Sequence, residues 1–242
     1  IQLKSPSHNI VVDSAQLNPE NGIIIQVMPN DDPHTRSMSG AQGGRGAAGP
    51  EGEAPESGGA RGGEMPAGDA APPVGEGSGV PRPEGPEGTA VPEVAGSDIN
   101  ATFRNVTLKG DIINGDTASC PMNISFERAA ITGAITTATV INAVGPDGEE
   151  ITMKTPHLYK LIGEVKNIFG ATNEKNGIKV SLDGDSSWVV DETSYLTGLT
   201  IAEDNAITAP DGYSVTMTVD GIETPIKAGD YEGEIVLKVT EM

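Results

Sequence analysis

Cysteine occurs once in 242 residues, aromatic side chains make up 3%, and Lys plus Arg number 15 against 35 Asp plus Glu. Each shortage excludes something. A single Cys120 allows no internal disulfide and no multi-cysteine metal site. It suits a secreted protein held by hydrogen-bond ladders, and equally a reduced cytoplasmic one. As a nucleophile Cys120 would need a positioned histidine. His8, His34 and His157 stand far from it in sequence with no flanking pattern, so a structural thiol is the reading. With few rings, a core must be built from Ile, Val, Leu and Ala, which suits strands packed in regular layers. A formal net charge of −20 argues against nucleic acid, whose phosphates demand Lys and Arg, and against anionic membrane surfaces. Acidity of this kind fits solubility and a weak attraction for cations. No stretch approaches 18 apolar residues, so no membrane insertion is expected. The first residues, IQLKSPSHNIVV, contain no Met, no basic region and no apolar leader, and read as structure already under way. We expect a piece of a larger chain.

Glycine and proline are plentiful, at 32 and 18, but unevenly spread. Residues 38–97 hold no Ile, Leu, Phe, Tyr or Trp and cannot offset the entropy of ordering their backbone. Gly40, Gly43, Gly46, Gly49 and Gly52 keep a collagen-like period of three that fails at Pro55, too few triplets for a triple helix. The expectation is a disordered acidic Gly/Pro-rich loop.

The rest of the chain repeats itself. NATFRNVTLKGDIING (100–115) and NISFERAAITGAITTA (123–138) share a register 23 residues apart. Ile99 answers to Met122, Asn100 to Asn123, Thr102 to Ser125 and Phe103 to Phe126; Leu108 answers to Ile131, Gly110 to Gly133 and Ile112 to Ile135. Ile10, Val12 and Leu17 have the same spacing as Ala101, Phe103 and Leu108, so the segments before and after the Gly/Pro stretch carry one module. Further on, Trp188, Val190 and Tyr195 match that spacing, and Leu196-Thr197-Gly198 echoes Leu108-Lys109-Gly110 with a displacement of one. A period of 20 to 25 residues built from short strands and Gly/Asn/Asp turns is the mark of a solenoid, and the leucine-rich frame is absent. About 180 residues outside the loop suffice for about six rungs and a terminal hairpin.

The expected organisation is all-β: a right-handed parallel β-helix with rungs at 1–37 and 98–210, the disordered loop at 38–97, and an antiparallel C-terminal cap at 211–242. The cap rests on two alternating runs, Val215/Met217/Val219 and Ile235/Leu237/Val239, with Asp220-Gly221 as a hairpin turn. Leu158, Leu161, Ile162, Val165, Ile168 and Phe169 recur at steps of three and four, which predicts a short helix over 156–169; an irregular rung with a bulging loop is the alternative. A β-sandwich is the structural runner-up. The stretches NIVVDSAQL, NGIIIQVM, VTLKGDIING, ITGAIT, SSWVVDETSYLTGLT and IKAGDYEGEIVLKV resemble the right-handed β-helix regions of bacterial cell-surface proteins of the adhesin or autotransporter-passenger kind. The resemblance implies a fold and a surface location, and carries no catalytic residue over.

No catalytic, cofactor-binding or metal residue is assigned. Acidic clusters of β-helix polysaccharide lyases and glycosidases have their nearest counterparts in Asp111 and Asp116 with Lys109 and Arg104, and in Asp183 with Asp185. Asp111, however, adjoins a glycine corner and Ala134 stands opposite it in the repeat, while LDGDSS reads as a turn before a strand. The DGD at 183–185 and the NDD at 30–32 offer hard oxygen ligands but no EF-hand frame, and turn chemistry accounts for them. The Asn-x-Ser/Thr triplets at Asn100, Asn105 and Asn123 read as an asparagine turn or ladder in Thr-rich strands. The expected function is a non-enzymatic extracellular or cell-surface β-helix, adhesive or stalk-like. Its partners would be a glycan or a protein on a host or neighbouring cell, and the remainder of its own larger chain. The competing class is a polysaccharide-active enzyme; a spacer without ligand is the third.

Overall fold

Backbone groups at the edge of a strand must find partners, and here they find them in strands one repeat away. The structure, a computed structural model, describes residues 1–4, 8–34, 98–116, 120–170 and 176–242. The expected disordered loop, with its glycine triplets, lies outside the described residues. Three consecutive triplets of strands follow one another: β2 (His8–Asp13), β3 (Gln16–Leu17) and β4 (Ile23–Val27); β5 (Ile99–Arg104), β6 (Thr107–Lys109) and β7 (Asp111–Gly115); β8 (Met122–Glu127), β9 (Ala130–Thr132) and β10 (Ile135–Asn142). Each triplet gives one strand to each of three sheets, and within each sheet these strands pair in parallel. The chain is all-β with parallel sheets.

The pairing follows the repeat residue for residue. Ile99 stands opposite Met122, Phe103 opposite Phe126, Leu108 opposite Ile131 and Ile112 opposite Ile135. Ile10 and Val12 stand opposite Ala101 and Phe103, so strands on either side of the Gly/Pro-rich stretch build one ladder. The inner faces of the three sheets meet in one continuous apolar cluster that includes Ile25, Phe103, Phe126, Leu108, Ile131 and Ile135. Within it the rings of Phe103 and Phe126 lie stacked, 5.4 Å apart.

Two corners repeat with the strands. Between the second and third members of each triplet stand Gly22, Gly110 and Gly133, all at positive φ (71°, 138° and 143°). A Cβ on Gly110 would lie 2.5 Å from the Gly22 carbonyl oxygen, and one on Gly133 would collide with the Gly110 carbonyl. The glycines are required because backbone passes directly over backbone. Between the first and second members stand Ser14, Asn105 and Arg128, each left-handed at φ 53°. The Ser14 N–H donates to the Arg104 carbonyl and the Asn105 N–H to the Glu127 carbonyl, at 3.0 and 2.9 Å. At the third level the Arg128 N–H donates to the Asp183 carboxylate instead.

Beyond Asn142 the regularity loosens. The expected helix over 156–169 is corrected: a short 3-10 helix spans Pro156–Leu161, and β11 (Val165–Phe169) is a strand antiparallel to β10. Ile162, already extended, caps the helical run, and Gly163 follows at φ 86°. From Val165 onward half-buried and exposed residues alternate, a period of two that the apolar spacing of three and four concealed. The register read for Trp188 is corrected too. β12 (Ile178–Leu182) continues the Phe103/Phe126 sheet, with Leu182 opposite Phe126, and β13 (Ser187–Val189) sets Trp188 opposite Ile131. The step from Leu182 to Trp188 is six residues where Phe126 to Ile131 is five, because the Asp183–Ser186 corner is one residue longer. Leu196–Gly198 therefore lie in β14 (Ser194–Ile201), which pairs with β12, and not beside Leu108–Gly110.

The C-terminal end closes antiparallel. After β15 (Ile207–Thr208) come β16 (Tyr213–Val219), β17 (Ile222–Thr224) and β18 (Gly229–Glu241). Asp220 and Gly221, both at positive φ, join β16 to β17 in a two-residue hairpin. Val215, Met217 and Val219 stand opposite Val239, Leu237 and Ile235 of β18, which also pairs antiparallel with β14. The remaining strand, β1 (Gln2–Leu3), lies parallel beside β4.

Gly212 is at positive φ (85°) with open space where a Cβ would stand. Gly212→Ala is expected to cost about 1 kcal/mol, the left-handed penalty alone. Gly133→Ala adds the collision with Gly110 and should cost about 3 kcal/mol or more. Urea unfolding of both variants decides; equal losses would refute the stacked-glycine account.

Candidate functional site

Outward residues of the sheet containing β5 and β8 fall into rows, because every second side chain of each parallel strand points away from the core. One row runs Asn9, Asn100, Asn123, Lys179 and Gly198, ending opposite Glu232 of β18. The next runs Val11, Thr102, Ser125, Ser181 and Thr200, ending opposite Asp230. Toward β18 these rows form a shallow trough of about 280 Å³. Its polar groups are of two kinds. Some are tied: the Asn123 amide donates to the Asn100 oxygen at 3.1 Å, the Thr200 hydroxyl to Asp230 at 2.7 Å, and Lys179 reaches Glu232 at 3.4 Å. Others are open: the hydroxyls of Ser125 and Ser181 have no protein partner among the described residues. Gly198 leaves a dip in the floor, crossed by the Lys179 stem.

The asparagine triplets fit this geometry. Asn100 and Asn123 form the ladder just described, half-buried in their strands. Asn105 stands exposed at the left-handed corner, its amide donating to Asp13 and its oxygen accepting from the Arg128 guanidinium.

The acidic residues considered as catalytic scatter. Asp111 opens β7 and accepts the Ala134 N–H at 2.9 Å; Asp116 follows the other end of β7 and accepts the Val140 N–H at 3.1 Å. Five strand residues separate them by about 17 Å, against about 5–10 Å for the paired carboxylates of glycoside hydrolysis. Arg104 is paired with Glu127. Asp183 accepts from the Arg128 and Asp185 N–H groups and from the Ser186 hydroxyl. Burial acts to raise its pKa, but these bonds outweigh it and hold the carboxyl below its ordinary value. Asn30 and Asp32 likewise cap local turns, receiving the Asp32 and His34 N–H groups. No group of three or more His, Cys, Asp or Glu side chains suited to a metal ion occurs among the described residues.

A different set of acids gathers around Asp111. Burial pushes the Asp111 carboxyl above its ordinary value, and the charge of Asp191 adds to it. Burial also raises Asp191, against the pull of Lys109, and raises Glu192, reinforced by Asp111 and Asp191. Asp191 occupies the place of Asp111 in its own repeat: Leu108-Lys109-Gly110-Asp111 corresponds to Trp188-Val189-Val190-Asp191, since the Gly133 N–H bonds the Val189 carbonyl as Gly110 bonds Thr132. The sequence hid this because Val190 stands where the other repeats have glycine.

Cys120 is fully buried, and burial, with the charge of Asp98, pushes its thiol up, the opposite of an activated nucleophile. His34 meets the Tyr159 ring edge-on at 5.3 Å and His157 pairs with Glu149 at 3.2 Å.

The raised Asp111 pKa makes a signed prediction. The folded state holds the proton more tightly than the unfolded one, so ionising Asp111 costs stability, and the cost grows as pH rises through the folded value. Asp111→Asn keeps the oxygen that accepts from Ala134 and removes the charge. The variant should be more stable than the parent at pH 7, and the gap should close toward low pH, where Asp111 is neutral in both states. Thermal unfolding across pH reads this; a gap independent of pH would refute it.

Comparison with protein-family models, curated proteins and solved structures finds no match to this chain.

Proposed function

We propose that this chain is a length of right-handed parallel β-helix from a larger extracellular or cell-surface protein, acting as an adhesive or stalk-like surface. Support for the architecture comes from the three parallel ladders and their shared 23-residue register, with corners of Gly22, Gly110 and Gly133 and of Ser14, Asn105 and Arg128 recurring in step. An antiparallel sandwich would have no reason to keep such a register. Support for adhesion comes above all from the trough, where regular rows of short polar side chains present open hydroxyls on a rigid sheet. Binding is by outward faces; the partners are a glycan or a protein on a host or neighbouring cell, and the remainder of the same larger chain. The charge of −20 argues against nucleic acid. No helix among the described residues is long and apolar enough to cross a membrane.

The second reading, a polysaccharide-active enzyme, has one observation on its side: the three raised carboxyls of Asp111, Asp191 and Glu192 beside Lys109. Against it stands the employment of Asp111 as a backbone acceptor.

Two measurements test these readings. Excising residues 100–122 joins Ile99 to Asn123 at equivalent points of the repeat. A β-helix should refold one rung shorter, with the same strand-dominated circular dichroism and cooperative unfolding at lower stability; an unfolded product would sink the architecture. Screening the folded chain against neutral and acidic polysaccharides, with and without calcium, should show binding to a glycan or a surface protein and no new reducing ends. Turnover abolished by Asp111→Asn would replace adhesion by catalysis.

A further inference from the structure

We infer that the trough between β8, β12, β14 and β18 binds an uncharged oligosaccharide, laid across the strands with its hydroxyls on the Ser125–Ser181–Thr200–Asp230 row. This rests on the adhesive reading and narrows its ligand.

Three observations carry it. The first is repetition. Neighbouring strands stand about 4.8 Å apart, close to the length of one pyranose unit, so one hydroxyl per strand offers one hydrogen-bonding group per sugar. Ser125, Ser181 and Thr200 are consecutive partners in the parallel ladder, and Asp230 continues the row on β18. The second is availability. Ser125 and Ser181 have no protein partner among the described residues, and each hydroxyl donates once and accepts twice. Among the described residues Asp230 accepts one side-chain bond, from Thr200, and its remaining lone pairs suit sugar hydroxyls, which must donate. Side chains this short lose little rotamer freedom on binding.

The third observation is charge. Asp230 and Glu232 stand two residues apart on the same face of β18 and border the trough. Among the described residues the trough's one cation, Lys179, is drawn to Glu232, and Arg104, farther along the face, is paired with Glu127. Uronates, sulfated sugars and other polyanions would meet two carboxylates here, on a chain already at −20. A neutral chain escapes that repulsion and still satisfies the acceptors.

The whole 242-residue chain would be titrated by calorimetry with neutral gluco-, galacto- and manno-oligosaccharides and with matched uronate- and sulfate-bearing ones. Two variants localise the site. Ser181→Arg fills the trough, while Thr107→Arg places the same charge on the exposed face of another sheet. Neutral oligosaccharides should bind the parent and the Thr107 variant alike, and the Ser181 variant at least roughly tenfold more weakly, the loss of about one well-placed hydrogen bond. If Ser181→Arg does not fold, Thr200→Val, which keeps the shape and removes the hydroxyl, should show a weakening in the same direction. Preference for the anionic sugars would overturn the inference and leave adhesion standing. Equal weakening by both arginine variants, or by neither, would place the site elsewhere. Binding of no glycan of either kind would overturn the inference, while capture of a surface protein by the same preparation would keep the adhesive reading; failure of both would end it.

Discussion

The parallel backbone ladder is the constraint on which everything else rests. A strand of two to eight residues cannot satisfy its own N–H and C=O groups, and each strand of the three triplets pairs with a strand in the neighbouring repeat. This fixes register, because a slip of one residue would turn Phe103, Phe126 and their neighbours to solvent and Thr102 and Ser125 into the core. It fixes the corners as well. Backbone crossing directly over backbone leaves no room for a Cβ at Gly133. At the other corner the left-handed residue keeps its N–H bonded whether the acceptor is a carbonyl, as at Asn105, or the Asp183 carboxylate, as at Arg128.

Where the polar residues fall follows from the same constraint. Alternation gives each strand an inner and an outer set, and parallel stacking turns the outer sets into rows. The trough needs no dedicated loop: it arises where short side chains of β8, β12 and β14 meet the acidic pair of β18. Asp111, Asp191 and Glu192 gather for the same reason, Asp111 and Asp191 holding equivalent places in their repeats. Bringing three acids together, with Asp111 half-buried among them, is a cost that the stacking imposes.

Sequence legibility tracked how strictly a stretch obeyed the period. The pairs Ile99/Met122, Phe103/Phe126 and Leu108/Ile131 could be read because core ladders demand matching apolar residues at matching places. Trp188 was misplaced because one extra residue in the Asp183–Ser186 corner shifted it, and Val190 removed the glycine that would have corrected the count. Residues 156–169 misled for another reason: apolar side chains on a 3-10 helix followed by a strand mimic one helical stripe. The trough was invisible because outward residues obey no apolar pattern, and its Asp230 and Glu232 come from the antiparallel segment, outside the repeat altogether.

The separation of partners along the chain is uneven, and this bears on how the fold comes together. Ile99 and Met122 are 23 residues apart, while His8 and its partner Ile99 are separated by 91, because the Gly/Pro-rich stretch intervenes. Loop-closure entropy grows with the logarithm of that separation, so joining β2 to β5 carries a penalty about 1 kcal/mol greater than joining β5 to β8. Chain connectivity therefore favours assembly outward from β5–β10, with the first triplet added onto a template already formed.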